Sequence, residues 1–321
     1  MKRRLFFGML GTATILPFFA LPLLSFTEPA VMLSITALAI AISHGHVGTT
    51  AMCYIDRDYR PIIAAKPWPL IWGLLIAPLV VLGLFLATPV TALIAFTSFV
   101  LWQTYHYQRQ NYGLAALAGA ANRIAMPPGL SRAMILAGIG GGLSQFRILP
   151  LFPTPVQDLA TSLVWAIPYT MGLAYLVYAA ALVQFAVVIA RTPQIRRSPL
   201  VLLFATTGTF FMLPALLADN VLLTVWAAAV AHATQYIIMV AAVARRSAHT
   251  IVLPIATVGM VIAHYFLCIL LLGTAWLWPL FFGLTVFHFL ADAEFWRLRS
   301  PLTGALVRER LAYAFPIRNT A

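Results

Sequence analysis

Acidic side chains are scarce in this chain: 8 Asp and Glu among 321 residues, against 20 Lys and Arg. Charged residues of both signs make up only 9% of the sequence, where soluble domains carry roughly 25%. So few polar groups cannot clothe a soluble core of this size in water, which excludes a cytosolic globular protein. Cysteine is nearly absent. Cys53 and Cys268 both fall in apolar runs without CxxC spacing, so no disulfide framework exists and the two read as small apolar fillers. Soluble cofactor motifs are missing as well: there is no GxGxxG, P-loop or GxSxG. The "GIGGG" at 138–142 lacks the preceding strand of a dinucleotide fold and reads as a place of close helix packing. The formal charge of +12 is not gathered on a polar domain, so no nucleic acid partner is expected; the charge marks membrane orientation instead.

What the chain has is apolar length, with 62% hydrophobic residues. Runs of about 20 such residues separated by short polar or Pro-rich joints predict ten transmembrane helices, at 5–26, 30–54, 68–88, 90–108, 133–150, 160–190, 199–218, 221–244, 250–272 and 274–296. The fifth, Gly-rich and polar in "LAGIGGGLSQFR", is the least secure of the ten, with a re-entrant or broken span as its alternative. The amino-terminal run resembles a signal peptide but is long enough to span, and is expected to remain as the first helix. With the amino terminus inside, the basic residues fall in cytoplasmic segments, from Arg3 and Arg4 through Arg57, Arg60, Arg109 and Arg123 to Arg308 and Arg310, and Arg147 alone lies opposite. The expectation is an all-α polytopic bundle in the inner (cytoplasmic) membrane. It is multi-pass, with both termini cytoplasmic and a single transmembrane domain over 1–321. The joint 109–132 is expected as an interfacial helix ending at Pro127 and Pro128, and 297–321 as a cytoplasmic tail.

Against that apolar background the histidines stand out. At 1.5 Å per residue, His44 and His46 in "SHGHVGTT" lie about eight to ten residues from the cytoplasmic end of the second span. His106 sits near the cytoplasmic end of the fourth, His232 near the middle of the eighth, and His288 with Asp292 in the cytoplasmic half of the tenth. An ionisable residue in lipid costs on the order of 2–3 kcal/mol or more when charged, so each is a functional candidate with a partner expected. The alternative for any one of them is an interhelical hydrogen bond.

Spacing adds polar company to each. His288 and Asp292, four apart, share a helix face, which suits joint ligation or a carboxylate that orients the imidazole. His232 with Gln235 and Tyr236 repeats the arrangement, and His106 has Gln103, Gln110 and Asn111 at helical spacings. His44 and His46 are two apart, about 200° around a regular helix, so a shared target requires a distortion that Gly45 and Gly48 would permit; otherwise only one faces inward. Asp56 and Asp58, beside Arg57 and Arg60, read as a solvated salt-bridged cap, and Glu294 as pairing with arginine. His264 remains a further candidate, whereas His249 is a loop residue.

Neutral imidazoles with one or two carboxylates are ligands for iron, zinc or copper. Three readings compete. The first is a non-haem iron oxygenase or related oxidoreductase acting on a lipophilic substrate such as a lipid or isoprenoid. Its metal ligands would come from His44, His46, His106, His232 and His288, with Asp292 as ligand or orienter and Tyr236 as proton donor. The second is a haem or quinone electron-transfer protein, and the third a proton-coupled transporter using histidines as a relay. Zinc hydrolases and transferases take the rest. The pieces His44-Gly45, His106 within "YHYQRQNYG", His232 and His288 resemble the bacterial membrane β-carotene dioxygenases of the Brp/Blh type. That resemblance implies a histidine-ligated iron and oxidative cleavage of a polyene. The HxxxH and HxxHH boxes of membrane desaturases and hydroxylases are absent.

Overall fold

A computed structural model describes residues 3–24, 42–43, 45–151, 157–244, 255, 258–259, 262–263, 266 and 278–315. All regular elements among the described residues are helical. Among the described residues, four helices are long and apolar enough to cross a membrane: Trp68–Ala87, Val164–Arg191, Pro199–Leu217 and Leu223–Ala244. They coincide with the third, sixth, seventh and eighth expected spans, because an uninterrupted apolar run must satisfy its backbone internally as helix. Most of the ninth expected span and of the second, including His44, lies outside the described residues, as do His264 and His249.

The chain divides into two compact units, one of residues 1–28, 89–232 and 314–321, the other of residues 29–88 and 233–313. The helix Val221–Ala244 begins in the first and ends in the second.

In the first unit the helix Pro89–Ala121 runs for 33 residues, well past the expected end at 108. Residues 109–121 are its last turns rather than a separate interfacial helix; Asn111, Leu114, Leu117 and Ala118 on this stretch are buried. Polar amides ended the apolar signal while a packed face carried the helix onward. It stops in a reverse turn in which the Ile124 N–H donates to the Gly119 carbonyl (2.8 Å) and the Arg123 N–H to that of Ala120 (3.2 Å). This is the Schellman pattern, with Arg123 in the left-handed position at φ 59°. A side chain there crowds its own carbonyl, so Arg123→Gly is expected to raise stability by on the order of 0.5–1 kcal/mol, read as a higher melting temperature in detergent.

The Gly-rich fifth span is a continuous helix, Pro128–Ser144, followed by a 3-10 turn over Gln145–Leu151. Its glycines are where neighbours come close. A Cβ on Gly140 would stand 3.0 Å from the Ala174 carbonyl oxygen, one on Gly142 2.7 Å from Thr104 Oγ1, and one on Gly141 would collide with Met212. Two other helices and the turn at Met212 therefore pack closely onto this one. Arg147, the base expected on the opposite side from the others, folds its guanidinium onto the carbonyls of Ser144, Ala215 and Ala218. It thereby satisfies acceptors that the end of the short helix Leu213–Leu217 leaves open.

In the second unit the helix Trp278–Phe295 crosses Gly73–Ala87 at close range. Gly283 sits directly on Pro78, with the Ala77 carbonyl oxygen 3.1 Å from where a Cβ would stand. A π-turn over Trp68–Trp72 opens that second helix, and Tyr54 donates to the Leu70 carbonyl at 2.6 Å. The expected tail contains a further helix, Pro301–Arg310, opened by proline at its first position. The charged cap also differs from expectation. Asp56 and Asp58 pair with Arg310, not with Arg57 or Arg60, and Asp56 and Arg310 are buried, each 2% exposed, rather than solvated. Glu294 pairs with Arg297 as expected, at 3.6 Å.

Candidate metal centre

His46, in the helical turns at 45–49, is buried, as are Thr50, Tyr236, His288 and Asp292. These five side chains meet inside the second unit. The His46 Nε2 lies 3.1 Å from the His288 Nε2, and the Asp292 Oδ2 lies 3.5 Å from the same His288 nitrogen. The helical spacing that placed His288 and Asp292 on one face thus holds, and it brings in the imidazole of another segment. The backbone departs from regular helix at Thr50, where an N–H donates three residues back to Val47 before the helix Ala51–Ile55 begins. Gly45 and Gly48 lie in regular helical turns.

Donor and acceptor roles can be assigned by elimination. The His46 Nδ1 bonds the Ser43 carbonyl, and a carbonyl only accepts, so Nδ1 carries the proton and Nε2 of the neutral ring presents a lone pair. Tyr236 donates to the Asp292 Oδ1 at 2.7 Å. Toward Thr50 (3.1 Å) its oxygen must therefore accept, and the Thr50 oxygen in turn accepts from the His288 Nδ1–H (2.7 Å). With every link satisfied, the chain reads His288, Thr50, Tyr236, Asp292. It leaves the His288 Nε2 with its lone pair toward the lone pair of His46 and toward the second carboxylate oxygen. The His288 Nε2 thus stands between a second imidazole nitrogen and a carboxylate oxygen, a position that suits a positive charge: a metal ion, or a proton that makes His288 an imidazolium.

Aromatic rings enclose the cluster. Tyr236 stands edge-on to His46 and His288, with ring centroids 5.6 and 5.3 Å away, and Phe289 lies 5.8 Å from His288. Trp296 covers Tyr236 from 5.9 Å.

No family model, curated protein or solved structure matches the chain. The chemistry must therefore be read from the side chains themselves.

In the first unit His106 and His232 are also adjacent, with ring centroids 4.9 Å apart and inclined at 73°. Tyr107 lies tilted by 32° against His232 with ring centroids 4.3 Å apart, and Gln103 donates to the Tyr107 oxygen at 2.6 Å. Gln110 reaches the His232 backbone carbonyl at 2.9 Å. Two of the polar residues noted around His106 therefore fix this pair: Gln103 through Tyr107, and Gln110 directly. Asn111 instead bonds Gln108.

Thr50 is the residue that sequence reading missed. It lies four positions after His46 in "HVGTT", so helical spacing from a candidate ligand pointed to it, but threonine is common in apolar helices and carries no distinctive signal.

Proposed function

We propose that the protein is a membrane-embedded, metal-dependent oxygenase or related oxidoreductase that uses non-haem iron on a lipophilic substrate such as a lipid or isoprenoid. The observation that carries this reading is that His46 Nε2 and Asp292 Oδ2 each approach His288 Nε2, at 3.1 and 3.5 Å. Two imidazoles and one carboxylate are the donor set of non-haem iron sites with open positions. Iron held by these residues would supply the activation of dioxygen.

The chain's own residues do the remainder. The Ser43 carbonyl fixes the His46 tautomer, and Thr50 fixes that of His288, so both rings are oriented before anything binds. Tyr236 holds a proton 2.7 Å from Asp292 and is the donor best placed to deliver it to an oxygen of the substrate. The surrounding aromatic rings exclude water, which suits an apolar substrate and keeps every electrostatic contact strong. The resemblance of the histidine motifs to the β-carotene dioxygenases points to a polyene as the substrate class to try first.

The continuous chain from His288 to Asp292 favours a second reading, a proton relay in a transporter, in which the required charge is a proton on His288. Elemental analysis and a visible spectrum of protein purified in detergent without chelators separate the two. Near-stoichiometric iron without a Soret band is the expected result. A Soret band would move the assignment to haem, zinc or copper would change the chemistry, and no metal at all would leave the relay.

A further inference from the structure

The helix Arg3–Leu24 carries an open groove of about 990 Å³ on one side, bounded across from it by Leu200 and Leu203. That volume is at the upper end of the roughly 300–1,000 Å³ of small-molecule sites. Gly8 and Gly11 form part of its floor, and a Cβ placed on Gly8 would meet nothing within 4 Å. From Arg3 to Phe19 the groove follows the helix for about 24 Å at 1.5 Å per residue. One leaflet of a bilayer core is about 15 Å thick, so the groove is long enough for an acyl chain.

Its two ends differ in chemistry. Beyond Gly8 the described lining is almost wholly apolar, whereas the head end holds Arg3, Arg4 and Asn122, and no acidic residue lines it among the described residues. Arg3 donates to the Asn122 Oδ1 at 2.9 Å, and Asn122 donates to the Ala118 carbonyl at 2.7 Å. The guanidinium is thereby fixed to the end of the 89–121 helix, with Arg4 exposed beside it. Two guanidinium groups at the terminus of an apolar trough, one of them already ordered, match a phosphodiester headgroup with its chain laid below.

We propose that this groove is a binding site for an anionic diacyl phospholipid. Its phosphate is held by Arg3 and Arg4, and one acyl chain lies along Gly8 and Gly11. The site is independent of the metal centre, so it stands whichever chemistry that centre performs.

The test is native mass spectrometry of the intact protein in detergent, titrated with phosphatidylglycerol or phosphatidylcholine of the same chains. The wild type is expected to keep one phosphatidylglycerol with at least a tenfold preference over phosphatidylcholine. The double variant Arg3→Gln, Arg4→Gln is expected to lose that preference. Gly8→Leu, which fills open space on a helix that tolerates leucine well, is expected to weaken both lipids alike. Equal binding of the two lipids by the wild type would overturn the proposal, as would retention unchanged in both variants. Displacement of the lipid by millimolar inorganic phosphate would overturn it too, showing a phosphate site without a lipid chain.

Discussion

His288→Ala is expected to reduce bound metal from near-stoichiometric to background, the largest loss of any single replacement in the cluster. His288 is the hub of the centre. Its Nε2 faces both His46 and Asp292, while its Nδ1 starts the hydrogen-bond chain through Thr50. Removing the ring would delete one of the proposed ligands and also release the orientation of the others. Asp292→Asn keeps the shape and removes the charge, so an intermediate loss is expected. Thr50→Val removes no ligand at all, yet it cuts the chain and frees the His288 tautomer. Replacements of such supporting groups typically cost about 10–100-fold in metal affinity, which is the loss expected here. His249→Ala serves as the control with metal content retained. Inductively coupled plasma measurements on the variants, normalised to folded protein by size-exclusion chromatography, give the ranking. Metal content unchanged in His288→Ala and His46→Ala would defeat the shared-centre assignment.

The relation of Thr50 to Tyr236 adds a readout that a purely structural role would not move. If Tyr236 supplies a proton during turnover, Tyr236→Phe retains metal but loses turnover, because the ring still packs against His46 and His288 while the hydroxyl is gone. A structural hydroxyl alone would lower thermal stability without separating metal content from activity.

Much of this centre was legible in the sequence for one physical reason. Lipid makes any buried polar group conspicuous, and helical spacing then tells which of them share a face. His288 with Asp292 followed directly from that, and so did the polar residues gathered around His106. Two kinds of feature were illegible. Thr50 is a hydroxyl that can satisfy itself on its own helix, so its presence in an apolar span announced nothing. Arg310 is separated from Asp56 by 254 residues, and no periodicity reports a pairing at that distance; the neighbouring Arg57 and Arg60 looked the better partners. Helix limits show a related effect. The 89–121 helix outran its apolar signal because its later turns bury a mixed face against neighbours, and only tertiary packing determines that. Glycines 138–142 were rightly read as packing residues, since close helix approach needs the missing Cβ whether or not the span is otherwise polar.

Arg310→Met is expected to destabilise the protein by about 3–5 kcal/mol, because it strands a buried carboxylate. The guanidinium pairs through NH1 with the Asp56 Oδ2 and through NH2 with the Asp58 Oδ2 at 2.5 Å, and it lies over the Tyr59 ring with its carbon 5.8 Å from the centroid. Asp56 is the costly partner, since it is buried and also holds the Asp58 N–H at 3.0 Å. The Asp58 side chain is 55% exposed, so its share of the pairing is screened and small. Burial by itself would lower the pKa of Arg310, but the hydrogen bonds it donates to Asp56 and Asp58 outweigh that and hold the group above its ordinary value. A cation with a raised folded-state pKa contributes stability that is complete below the unfolded value and fades only as pH climbs through the folded one. The Arg310 contribution therefore persists across the whole alkaline range in which the protein stays folded, and thermal melts of the wild type between pH 8 and 10 should show no loss traceable to this clamp. Pairing the change with Asp56→Asn removes the stranded charge, so the double variant should recover a large part of what Arg310→Met loses. Melting in detergent measures both. Equal destabilisation of the single and double variants would mean that the Pro301–Arg310 helix is held by packing of Val307 and its neighbours, with the ion pair incidental.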